Sequence, residues 1–191
     1  RGLFSTGEKI FDGIQHFSGL WRFPRAGSTT CAACLAGYHV KNENTECVVC
    51  DAGKMSDVES EACDTCEAGS YSTTGSSTCT PCSAGTASNR SGSASCTTGS
   101  IGYYQQSEGA TTCTACPLGQ HASATGQTSC TLCERGTYST DLGSTSCTSC
   151  GAGKVQNTTG ETTCDACEPG RVQSNSRQSE CADCEAGKYS S

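Results

Sequence analysis

Cysteine is the only residue type here whose number and spacing suggest chemistry. Cys31, Cys47, Cys63, Cys79, Cys96, Cys113, Cys130, Cys147, Cys164 and Cys181 recur at steps of 16 and then 17 residues. Each is followed three residues later by a second cysteine, except that Cys96 is followed by Gly99. Tandem C-x-x-C pairs can be disulfide partners, zinc ligands or dithiol redox centres. Zinc reads poorly across so many pairs in tandem, in a chain with few basic residues. Redox C-x-x-C needs a βαβ context, which is absent. His16, His39 and His121 are scattered. No Ser/His/Asp set or carboxylate pair stands out, and no D-x-[DN]-x-[DN]-G calcium loop occurs. The sequence therefore nominates no catalytic, cofactor-binding or metal residue, and reads as a non-enzyme.

The elements that must position these cysteines are repeats. Gly37, Gly53, Gly69, Gly85, Gly102, Gly119, Gly136, Gly153, Gly170 and Gly187 each fall three residues after a second-cysteine position. A glycine at every repeat implies a backbone requirement, either positive φ or a close approach. Two residues further stand His39, Met55, Tyr71, Ala87, Tyr104, His121, Tyr138, Val155, Val172 and Tyr189, a slot favouring ring and branched side chains that suit a short strand. A second glycine marks the return turn, with Glu43, Glu59 and Arg177 departing from it. Each unit therefore reads as a two-stranded hairpin. A fixed period this short predicts hairpins of 16–17 residues stacked into an elongated rod.

Composition agrees. The chain of 191 residues has 19 Cys and 23 Gly and is only 34% apolar, so a large aliphatic core is out of reach. Such a cysteine content signals a small disulfide-rich, mostly β scaffold in an oxidising, extracellular compartment. A net charge of −7 disfavours nucleic acid and anionic membrane surfaces. No apolar run is long enough to span a membrane. The chain starts at Arg1 with no visible signal peptide, which reads as a mature or trimmed product.

Three segments follow. Residues 1–23 are Cys-free and hold all four Phe and the only Trp. Ser5-x-x-Glu8 resembles a capping box, and Ile10, Phe11, Ile14 and Phe17 share one helical face, predicting a helix over roughly 6–18. Its apolar face, with Trp21, either caps the array or docks on another chain. Docking would let rods associate head to tail into a filament. Residues 24–184 are the tandem repeats, beginning with a degenerate Cys-free unit in which Phe23 takes the Tyr138 slot. Residues 185–191 begin a further repeat.

The cysteines can pair in three ways, of which a bridge inside each C-x-x-C closes little chain and would stabilise little. Second cysteine to next first cysteine gives Cys34–Cys47, Cys50–Cys63, Cys66–Cys79, Cys82–Cys96, Cys116–Cys130, Cys133–Cys147, Cys150–Cys164 and Cys167–Cys181, leaving Cys31, Cys113 and Cys184 alone. Crossed pairing in double units, as in Cys31–Cys47 with Cys34–Cys50, leaves only Cys116. Parity favours the crossed scheme and translational symmetry the hairpin one. The pattern C-x-x-G-x-[YFV]…G-x-[ST]-x-C-x-x-C resembles the ephrin-receptor-type cysteine-rich repeat, over about residues 24–191. It is also similar to the first loop of the tumour-necrosis-factor-receptor module. The resemblance implies the hairpin pairing, because the family loop is closed that way. It does not cover residues 1–23, and Gly99 departs from the pattern.

Asn89-Arg-Ser91 and Asn157-Thr-Thr159 are the only N-glycosylation sequons, both seven residues after a second cysteine. The Ser/Thr runs before each cysteine are candidates for O-glycans. The expected function is structural: a glycosylated, disulfide-stapled extracellular rod that self-associates into a fibre or appendage. The alternative is the ligand-binding or adhesive ectodomain of a receptor, which would need clustered aromatic or Arg hot spots.

Overall fold

The structure is a computed structural model that describes residues 3–5, 20–22, 31–41 and 46–189, with side chains from residue 33 onward. All regular structure among these residues is β. The first part of the chain forms β1 (Leu3–Ser5), β2 (Leu20–Arg22), β3 (Cys31–Ala33), β4 (Tyr38–Lys41) and β5 (Glu46–Val49). β1 pairs with β3, while β5 lies between β2 and β4. From Cys50 onward every repeat is a hairpin of two-residue rungs: Lys54–Met55 against Asp64–Thr65, Ser70–Tyr71 against Thr80–Pro81, and so on to Arg171–Val172 against Ala182–Asp183.

The expected helix over roughly 6–18 lies outside the described residues, and no helix occurs among those described. The residues flanking that segment, Leu3–Ser5 and Leu20–Arg22, are strands. In β2, Leu20, Trp21 and Arg22 lie opposite Val48, Cys47 and Glu46. A short hairpin leaves an open edge of unpaired main-chain groups, and β2 covers the edge of β5.

Two-residue strands cannot hold themselves together. Each rung starts just after a glycine of positive φ, 84° at Gly53, and ends between the two cysteines of the next pair, or in one case between Cys96 and Gly99. In five repeats, those of Ser88, Gln105, Ser139, Gln156 and Gln173, side chains hold the turn in one of two ways. In the Ser form, Ser139 Oγ bonds to Ser144 Oγ, and Ser144 Oγ donates to the Asp141 carbonyl. In the Gln form, Gln156 Oε1 accepts from the Thr158 N–H while its Nε2 donates to the Thr163 carbonyl. Gln105 and Gln173 repeat this arrangement.

The chain divides into two compact units, one of residues 1–83, 87–97 and 108–111, the other of 84–86, 98–107 and 112–191. Within each, successive hairpins are joined by main-chain hydrogen bonds. In the first, Gly53 N–H donates to Ser72 O, Gly75 N–H to Cys50 O and Ser72 N–H to Ser93 O. In the second, Gly119 N–H donates to Ser139 O, Gly143 N–H to Cys116 O and Ser139 N–H to Glu161 O. At ~1 kcal/mol net apiece these bonds matter, because the apolar core is so small. The buried apolar side chains are Cys34, Cys47, Cys50, Cys66, Cys82, Cys116, Cys133 and Cys150, with Ala87 and Ala122. Among the residues whose side chains are described, not one Leu, Ile or Val is buried, so the sulfur atoms are the core there.

Candidate functional site

The cysteine chemistry is structural. Cys34–Cys47, Cys50–Cys63, Cys66–Cys79, Cys82–Cys96, Cys116–Cys130, Cys133–Cys147, Cys150–Cys164 and Cys167–Cys181 are disulfides, each with Cα atoms 5.6–5.8 Å apart. Each bridge closes the hairpin whose first rung follows its first-named cysteine. In most bridges that cysteine is fully buried, and the partner, from Cys63 to Cys164, is half-buried. Among the described residues Cys113 and Cys184 are free thiols, both half-buried. The side chain of Cys31 lies outside the described set.

Gly99 explains the state of Cys113. The carbon that a side chain at Gly99 would add falls 3.0 Å from Cys113 Sγ and 3.6 Å from its Cβ. This hairpin keeps the geometry of a bridge and lacks one sulfur.

The histidines are where sequence reasoning fell short. His39 and His121 do occupy the repeat's ring-favouring slot, yet neither merely packs. His121 Nδ1 lies 3.3 Å from Cys147 Sγ, and His39 Nδ1 lies 3.1 Å from Cys63 Sγ. In each case the histidine belongs to one hairpin and the bridge to the next. A cleft of about 280 Å³ opens beside the His121 pair, with Glu134, Thr137 and Arg177 on its wall. Arg177 Nη2 reaches Glu134 Oε2 at 2.9 Å. The clue was available in the sequence: both histidines fall in the same slot of the repeat, one hairpin ahead of a complete bridge. The 24- and 26-residue separations hide the contact from local reading.

Asn89 and Asn157 are exposed at hairpin turns. Ile10, Phe11, Ile14 and Phe17 lie outside the described residues. Trp21 sits in β2, with its backbone opposite Cys47 of its own chain. No helix among the described residues is long and apolar enough to cross a membrane.

The family model described as tyrosine-protein kinase ephrin type A/B receptor-like matches residues 85–126 and again 119–162. The matched segments coincide with hairpins carrying the glycine, the bridge and the inter-hairpin bonds described above. Residues 85–162, within the tandem array of disulfide-bonded hairpins, are thus similar to ephrin-receptor-like cysteine-rich repeats. No curated protein matches the chain. The ephrin-receptor-like repeat is a non-catalytic ectodomain type, and eight disulfides together with such repeats fit an extracellular or cell-surface location.

Proposed function

We propose that the chain is a structural part of an extracellular protein, a glycosylated, disulfide-stapled array that associates into a fibre or surface appendage. One observation carries this reading. Hairpin binds hairpin through main-chain groups, as in Gly75 N–H to Cys50 O and Gly143 N–H to Cys116 O, and each bridge closes its own hairpin, so outward side chains have little structural duty. Those outward positions are mostly Ser, Thr and small polar residues, which suit a solvated and glycan-bearing surface. The apolar residues 10–17, with Ile10, Phe11, Ile14 and Phe17, supply a surface for contact between copies. Residues 1–23, 24–184 and 185–191 would then be contact segment, array and start of a further repeat.

The second reading is a ligand-binding ectodomain, favoured by the family match itself. Electron microscopy of the purified, negatively stained protein separates the two. Filaments that lengthen with concentration support the structural reading. Single particles at every concentration, together with saturable binding to cell surfaces, would replace it with the receptor reading.

A further inference from the structure

We propose that the cluster of His121, Cys133 and Cys147, with its counterpart of His39, Cys50 and Cys63, is a latent site for a zinc-class divalent cation that opens when its disulfide is reduced. In each cluster the imidazole nitrogen and the two sulfurs all lie within 4.8 Å of one another. Zinc bonds of about 2.3 Å to sulfur and 2.0–2.1 Å to nitrogen give a tetrahedron with N···S edges near ~3.5 Å. The N···S edges seen, 3.3 Å at Cys147 and 3.1 Å at Cys63, need only a few tenths of an ångström of opening, whereas the two sulfurs, bonded to each other in the disulfide, must part to ~3.8 Å once it is reduced.

The sulfurs of a disulfide carry no thiolate charge, so the oxidised chain offers only the imidazole. Reduction changes that without dispersing the ligands. A dithiol reductant passes two electrons to the Cys133–Cys147 bond, breaks it, and itself closes to a cyclic disulfide. Its two protons end on the new thiols, and cation binding then releases both. A two-residue rung alone would not keep these cysteines together, but the main-chain bonds to the neighbouring hairpins, Gly119 N–H to Ser139 O and Ser139 N–H to Glu161 O, do not run through this bridge and tether the opened hairpin, whose cysteine Cα atoms start 5.7 Å apart. His121 and Cys147 both line the cleft, which leaves room for a water as fourth ligand.

Position separates these two bridges from the others. The slot one hairpin ahead of Cys66–Cys79, Cys82–Cys96, Cys116–Cys130, Cys150–Cys164 and Cys167–Cys181 holds Met55, Tyr71, Tyr104, Tyr138 and Val155. None of these supplies an imidazole.

The test uses the full chain, opened under native conditions with a dithiol reductant, freed of it anaerobically, and titrated with Zn²⁺ and with Co²⁺. Cobalt reports a thiolate–imidazole tetrahedron by its visible absorption. The variants are His39→Tyr and His121→Tyr, which install the residue the same slot already carries at Tyr71 and Tyr138 and so preserve folding. The expected result is two cations per chain in the wild type, one in each single variant and none in the double variant, with no uptake before reduction. Uptake that ignores both substitutions and follows the number of liberated thiols would overturn the proposal, as would no uptake at all.

Discussion

A side chain on Gly53 would collide with the carbonyl oxygen of Gly92, two hairpins further along the chain. The repeat glycine thus meets two demands at once. Its φ is positive, and its Cα faces the main chain of a hairpin that is not its sequence neighbour. Gly153 has the positive φ, 78°, and nothing within 4 Å. The pair separates strain from overlap. Gly153→Ala should cost about 1–2 kcal/mol from left-handed strain alone. Gly53→Ala should cost that and about 1–3 kcal/mol more for forcing two backbones apart. Denaturant unfolding with the disulfides intact measures both, and equal losses would show that the close approach is not a constraint.

Cys113 gives a second prediction. Gly99→Cys should close a ninth bridge, because the new Cβ would stand 3.6 Å from the Cys113 Cβ, within the disulfide range. A loop of this size contributes about 3 kcal/mol in the chain-entropy model. Alkylation mapping checks it: Cys113 reacts in the parent chain and should be protected in the variant. A Cys113 that still alkylates after oxidation would mean that the hairpin has relaxed away from bridging geometry.

The return turn yields a third. Glu59 and Arg177 hold φ of 62° and 61° at positions where other repeats place glycine. Left-handed geometry costs a non-glycine residue about 1–2 kcal/mol, whereas the added freedom of glycine in the unfolded chain costs about 0.5–1 kcal/mol. Glu59→Gly should therefore stabilise by up to about 1 kcal/mol. Arg177→Gly should gain less, since it also removes the contact with Glu134. Thermal unfolding of the two variants should rank them in that order, and a fall in stability for Glu59→Gly would contradict the argument.

These cases show how far the sequence could be read. The period, the glycine slot and the hairpin are local features, written within 17 residues, and composition alone announces that a large aliphatic core is out of reach. Where a repeat glycine has a close partner, that partner lies two hairpins away and leaves no local mark, so Gly53 reads as a turn residue while its contact with Gly92 stays hidden. The histidine–sulfur contacts are long-range in the same way. Glu59 and Arg177 read as departures, although the backbone at both keeps the conformation that glycine takes elsewhere. The two pairing schemes could not be separated from the residues alone, because C-x-x-C spacing fits both; the strand register that brings Cys133 to Cys147 is tertiary. At the N-terminus, the alternation of Leu20, Trp21 and Arg22 is too short to signal a strand, and β2 exists because β5 offers it an edge.

Asn89 and Asn157 should carry N-glycans in protein from a eukaryotic secretory host. Both side chains are exposed at turns, and the hydroxyl residues that complete their sequons, Ser91 and Thr159, are exposed as well. Intact-mass analysis before and after enzymatic deglycosylation should show a loss at both sites. Unmodified Asn at both would remove glycosylation from the functional reading.

Deleting residues 1–23 tests what the N-terminal segment does. The deletion removes β2 from the edge of β5 and β1 from β3 and leaves every observed disulfide in place. Amide exchange should then accelerate across Glu46–Val49, where the three-stranded sheet becomes two-stranded. It should be unchanged at Lys54–Met55, whose partner Asp64–Thr65 is untouched. Unaltered exchange at Glu46–Val49 would mean that β2 contributes nothing to the first hairpin in solution. The same variant bears on assembly, since it also lacks Ile10, Phe11, Ile14, Phe17 and Trp21. If fibres form from the full chain and equally well from the truncated one, contact between copies does not run through this segment, and its role is confined to covering the edge of β5.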